Sequence, residues 1–266
     1  MSIRRRILVG LAAGCLAVTL AGGARAQART ELLLYCGITM VRPMTEIARN
    51  FEQRENVKIT IAQGGSEDLF QSAKKSGVGD WYLPGEPSYR ERHLKEGLFG
   101  EHVTVGYNQM GLMVAKGNPK QVKADPRELL RKDLLAIIGN AESGSVGFES
   151  KQILDSLGIY PNVIRQVAFL APDSRSIVNA MKKGEADVSL NWRAVAFFPD
   201  NAPRVDVVDL DPRLAAPQAL LLIQLKSSRH VEIGRRFMAY AAGEEGQAIF
   251  RKWGFLDNKA GRQAGA

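Results

Sequence analysis

The chain is short of the residues that most often carry covalent, redox or metal chemistry. Its 266 residues include two cysteines and three histidines, His93, His102 and His230. Cys15 lies in an apolar leader, so the exported chain keeps Cys36 alone, with no internal disulfide. No HExxH, CxxC or phosphate-binding loop occurs. Ser143-Gly144-Ser145-Val146-Gly147 does not supply the G-x-S-x-G of a nucleophile elbow. The sequence therefore gives no catalytic reading, and no cofactor is implied. There is no polybasic block after the leader, so a nucleic-acid footprint is excluded. Beyond the leader long apolar runs are also missing; the longest candidate there, 214–225, is broken by Pro217 and Gln224, so no membrane-spanning helix is expected.

What is present starts with residues 1–26. Arg4-Arg5-Arg6, an apolar stretch from Ile7 to Leu20 and Ala24-Arg25-Ala26 are the three parts of a secretory signal with its cleavage site. A lipid anchor on Cys15 is the rival reading; Ala12-Ala13-Gly14-Cys15 fits acylation poorly, because the apolar run continues past it. The leader holds four arginines and no acid, which leaves a net charge of only +4 from the overall +8. Apolar content of 45% and charged content of 24% are ordinary for a folded protein, so disorder is excluded. The expected product is a periplasmic protein without a lipid anchor.

Periodicity then gives an α/β chain. Leu32 to Cys36 reads as a buried strand, Met44, Ile47, Ala48 and Phe51 as one helix face, and Val57, Ile59 and Ile61 as a second strand. Gly64-Gly65-Ser66 turns into a helix bearing Leu69, Phe70 and Ala73. A similar unit follows: a helix over 126–133, a strand over 134–138, a polar turn over 140–145, a helix over 146–157, and strands over 167–170, 187–190 and 205–210. A strand over 219–225 and two terminal helices close the chain. Two such units predict two Rossmann-like lobes: residues 27–111 with 217–266, and residues 112–216. Segments 110–115 and 211–217 are the hinge candidates.

In open α/β sheets ligands sit beyond the carboxyl ends of strands. Those ends carry Gly37-Ile38-Thr39, Gly64-Gly65-Ser66, Asn140 to Ser145, Asp173-Ser174-Arg175 and Asn191-Trp192. Such bends offer free backbone N–H groups, hydroxyls and helix dipoles, which bind an anion without a lysine cluster. Each is equally an ordinary helix cap. Arg175 is either a bidentate clamp for an oxyanion or carboxylate or a surface arginine. Trp81, Tyr82 and Tyr89 either line the cleft mouth or pack in the core. Cys36 is either a small buried residue or, with Met40, Met44 and His93, a soft metal site.

The leader, Leu32 to Cys36 with its turn, Gly64-Gly65-Ser66, Gly79-Asp80-Trp81-Tyr82, Asp173-Ser174-Arg175, Gly184-Glu185-Ala186-Asp187, and the closing Gly243-Glu244-Glu245-Gly246-Gln247-Ala248-Ile249-Phe250 with Trp253-Gly254-Phe255 recur in a known order. Over residues 27–260 the chain resembles the periplasmic solute-binding proteins of ABC importers, in the branch with molybdate- and tungstate-binding proteins. The resemblance implies the type II periplasmic binding fold, with two lobes joined by two crossing strands around a cleft. It implies capture of a small oxyanion, molybdate- or tungstate-like, by a monomer that delivers it to a permease, or presents it to a receptor as a sensor. An organic anion or a metal or metalloid species is the alternative ligand. Its oxyanion donors fall near Thr39, Ser66, Ser143 to Ser145, and Asn191-Trp192. With the bends read above, the candidate ligand residues are Gly37, Thr39, Gly65, Ser66, Ser143, Ser145, Arg175, Asn191 and Trp192. Glu67, Asp68 and Glu142 must point away if a dianion is to bind.

Overall fold

The computed structural model describes residues 29–259. The leader, its cleavage site and Cys15 lie outside them. The first strand, β1 (Thr30–Gly37), is followed by a single 3-10 turn at Ile38–Met40 and helix α1 (Val41–Glu52). Strand β2 (Val57–Gly64) pairs parallel with β1 from Thr30↔Val57 to Gly37↔Gly64. Helix α2 (Ser66–Ser76) ends at Gly77, whose φ of 64° is the left-handed stop that a Cβ disfavours. Strand β3 (Trp81–Leu83), helix α3 (Ser88–His93) and strand β4 (Phe99–Asn108) complete the forward half of the first lobe.

The second lobe opens with β5 (Met110–Ala115) and continues through β6 (Ala136–Gly139), α4 (Ser145–Ser156), α5 (Tyr160–Gln166), β7 (Leu170–Ala171), α6 (Ser174–Lys183), β8 (Val188–Trp192) and β9 (Val205–Asp209). Strand β10 (Gln218–Leu225), α7 (Val231–Ala242) and α8 (Glu244–Lys252) return to the first lobe. The strands form two five-stranded sheets, ordered β2-β1-β3-β10-β4 and β7-β6-β8-β5-β9. In each, the first three strands run parallel, and the strand that arrives from the other lobe pairs antiparallel with its neighbours. The two sheets thus share one topology, and the α/β two-lobe expectation holds.

Several elements differ locally. Helix α5 covers a segment with no assigned element; Pro161 sits in its first turn, where the missing N–H costs no hydrogen bond. The strand expected at 167–170 is displaced to Leu170–Ala171, because Val167 caps the end of α5. The helix expected over 126–133 is a 3-10 turn, Pro126–Leu130, started by Asp125, whose carboxylate accepts from the Arg127 N–H at 2.9 Å.

The hinge expectation shifts as well. All of β5 belongs to the second sheet, with Met110 opposite Trp192, so the first crossing lies at Asn108-Gln109-Met110. The second crossing runs from Leu210 to Pro217, between β9 and β10. Gln109, nearly buried, joins them: its side-chain N–H donates to the Ala215 carbonyl at 2.8 Å, and its own carbonyl accepts from the Arg193 N–H at 2.9 Å.

Candidate functional site

Four of the helices begin with serine, and three of those serines meet. Ser66 starts α2 in the first lobe; Ser145 starts α4 and Ser174 starts α6 in the second. With Gly37, Thr39, Gly65, Gly85 and Trp192 they line one narrow throat between the lobes. Gly65 and Gly144 precede α2 and α4 and give neither helix a side-chain cap. The first N–H groups of those helices are therefore left for something else to satisfy, at the positive ends of two dipoles. Helix α6 differs, since Asp173 accepts the Ser176 N–H at 2.7 Å.

Hydrogen bonds hold the lining in place. Ser66 Oγ accepts from the Gly85 N–H at 3.1 Å, and the Ser66 carbonyl accepts from the Tyr82 hydroxyl at 2.9 Å. Burial pushes that Tyr82 phenol well above its ordinary pKa, so it stays a donor. Trp192 Nε1 donates to Ser145 Oγ at 3.3 Å. The Thr39 hydroxyl lies 2.7 Å from the Met40 sulfur.

Glycine sets how closely the lobes approach. A Cβ on Gly65 would stand 2.5 Å from the Ser143 carbonyl oxygen of the opposite lobe, and one on Gly85 would stand 2.1 Å from Ser145 Oγ. The throat that remains has a volume of about 10 Å³, the room of a single water. A larger cavity of about 120 Å³ adjoins it and shares Ile38, Thr39 and Ser174 with it.

Gly37, Thr39, Gly65, Ser66, Ser145 and Trp192 line the throat. Ser143 and Asn191 sit behind it. The Ser143 hydroxyl donates to the Pro172 carbonyl at 2.8 Å, locking the polar turn. Asn191 is fully buried, hydrogen-bonded to the Ser174 hydroxyl and carbonyl. Arg175 lines the larger cavity and reaches across the lobes to Gln63 Oε1 at 3.0 Å. Ser174 and Gly85 were not singled out by the sequence. Ser174 stands in a recognised helix start but beside an arginine with louder chemistry; Gly85 lies between prolines in a loop with no polar side chain of its own.

Glu67 turns toward His93 and Gln71, and Asp68 and Glu142 are exposed; none of the three lines the throat. Asp173 is the one carboxylate that does, and its cap to α6 occupies it. Trp81, Tyr82 and Tyr89 are core: Trp81 packs on Phe237 with ring centres 4.6 Å apart, and Tyr82 stacks parallel to Phe99 at 5.8 Å.

Cys36 is completely buried; its Sγ lies 3.5 Å from the Gly37 carbonyl, and burial drives its thiol pKa far up. Met40 and Met44 are packed in the same core, while His93 stacks on Phe70 in a separate cluster, so the soft-metal set is not assembled. Cys36→Ala is therefore expected to cost about 1 kcal/mol through lost packing. A thermal melt reads that loss, and ligand affinity should not move with it.

The sequence matches the bacterial extracellular solute-binding protein family over residues 32–256. The chain belongs to that family. Its members bind a small solute and serve an ABC permease. Among solved structures, the sulfate-binding protein SubI of Mycobacterium tuberculosis aligns at a TM-score of 0.76 and 18% identity, over 88% of this chain and 90% of its own. The periplasmic molybdate-binding protein of Azotobacter vinelandii aligns at 0.70 and 14% identity, over 85% and 98%. PEB3, from Campylobacter jejuni and solved with L-phospholactate bound, aligns at 0.67 and 19% identity, over 85% and 100%. These likenesses establish the type II periplasmic binding fold of this solute-binding protein.

Proposed function

We propose that this protein captures a small anion between its lobes, outside the inner membrane, and hands it to an ABC permease. One observation carries the reading: the N-termini of α2 and α4, from opposite lobes, point uncapped into one throat, with serine hydroxyls and an indole N–H around them. Three kinds of donor aimed at one point suit an oxyanion, and the bond count is completed only when the lobes meet. The sulfate, molybdate and L-phospholactate bound by the structural neighbours are all of that chemistry.

Calorimetry of the purified protein tests it, with sulfate, phosphate, molybdate, tungstate, small carboxylates and phosphonates. At least one anion should bind, and Ser66→Ala should weaken it about tenfold, the worth of one hydrogen bond to a charged group. Silence from the whole panel refutes the reading.

A further inference from the structure

The space between the lobes is unevenly divided. The throat has room for one water, whereas the adjoining cavity is about twelve times larger, at about 120 Å³ against 10 Å³. That cavity is not a neutral void. Helix α6 gives it one whole face: Arg175, Val178, Asn179 and Lys182, at the i, i+3, i+4, i+7 spacing. Arg42 of α1 and Asp200 face them.

The charges there do not cancel. Arg42 is paired with Asp200 at 2.7 Å and lies over the Phe198 ring at 4.9 Å. Arg175 and Lys182 are held by neutral amide oxygens instead, Gln63 Oε1 at 3.0 Å and Asn201 Oδ1 at 3.1 Å. An amide oxygen positions a cation without neutralising it. Asp200 also feels the Lys182 charge, but one carboxylate against Arg42, Arg175 and Lys182 leaves the cavity lining with a net excess of positive charge, with Val178, Val195, Ile38 and Phe198 between and around it.

The same helix ties both spaces together. Ser174, at the start of α6, lines the throat, and Lys182 lies eight residues along, about 12 Å at 1.5 Å per residue. We propose that the ligand is a small organic acid with two anionic ends. One end, an oxyanion, sits at the mouth of the serine-lined throat, where it opens into the larger cavity beside Thr39 and Ser174; a short carbon chain runs along the Val178 face; a second anionic group meets Arg175 and Lys182. This rests on the function proposed above and narrows its substrate class. It also explains why Arg175 bridges to the opposite lobe: a group bound there is held from both sides.

A matched pair of probes isolates the second charge. 3-Phosphonopropionate and propylphosphonate share head and chain length and differ in the terminal carboxylate. By calorimetry the first should bind at least tenfold more tightly than the second, and inorganic phosphate should bind more weakly than the first. In the double variant Arg175→Gln, Lys182→Met the preference between the pair should fall to about one, with melting temperature as the folding control. Equal affinities in the parent protein, or a preference unchanged in the double variant, overturn the cavity assignment and leave the anion reading standing. Silence from both phosphonates and every simple anion is the failure of the anion reading itself.

Discussion

Gly65→Ala is expected to weaken ligand binding about a hundredfold while leaving both lobes folded. Gly65 has φ −65° and ψ 148°, which any residue adopts, so alanine strains nothing within the first lobe. Loss of glycine freedom in the unfolded chain should even add about 0.5 kcal/mol of stability. The new methyl group meets its obstacle across the cleft, 2.5 Å from the Ser143 carbonyl oxygen. Backbone cannot move aside as a flexible side chain can, so the lobes must stay further apart. Every donor contributed by the far lobe then falls short, and each 1.4 kcal/mol lost is a factor of ten in affinity. Calorimetry reads the loss, and small-angle scattering with saturating ligand should show the variant wider than the parent. Gly85→Ala, whose methyl would stand 2.9 Å from the Ser145 Cβ, an atom no rotamer moves, should act alike. Parent-like affinity in both variants would show that tight meeting of the lobes is not required for binding.

The second large effect is on stability and its dependence on pH. Glu149 of α4 is buried near Glu86 of the other lobe, and it accepts from the Gln218 side chain at 2.9 Å. Burial, with the Glu86 charge second, pushes its carboxyl up to about 7 from an ordinary 4.5. Glu86 is itself raised by burial, against the Ser88 and Arg92 donors that lower it. Because the folded protein holds the Glu149 proton more tightly than the unfolded chain does, its contribution is complete below pH 4.5. It is lost as pH climbs through 7. The full difference is about 3 kcal/mol. Glu149→Gln keeps the shape and removes the titration. The variant should match the parent near pH 4.5 and exceed it at pH 8 by up to about 3 kcal/mol, or about 5–10 °C in Tm. Denaturant melts across that range check it; parallel pH profiles for the two proteins would exclude Glu149 as a buried titrating group.

Much of the site was visible in the chain because its parts are local. A Gly-Ser pair at a strand-to-helix bend announces a helix start on its own, which marks Ser66; Ser145 closes a polar turn that the family resemblance also points to. Trp192 was found with its neighbour Asn191, but adjacent strand residues face opposite sides. That rule places the tryptophan at the throat and buries the asparagine behind it, where it fixes Ser174. Arg42 and Lys182 gave no signal, since a surface cation and a cavity cation look alike until two helices from different lobes are brought together. The Gly65 and Gly85 approaches depend on residues more than fifty positions away, and no pattern within either bend encodes them. The fold is readable because apolar spacing repeats within each element; helix α5 is only seven residues long with Val163 as its buried residue, too short for an apolar spacing to repeat.

The side chain of Gln109 fastens the two inter-lobe crossings to each other inside the protein. Two straps pinned at one spot bend easily about a single line and resist sliding or twisting. A swing of the halves about that line, like the covers of a book around its spine, would break the contacts that span them, Arg175 with Gln63 and Arg42 with Asp200, together. Loaded and unloaded protein would then differ as two distinct silhouettes, which is what a membrane-embedded receiver needs in order to tell a full carrier from an empty one.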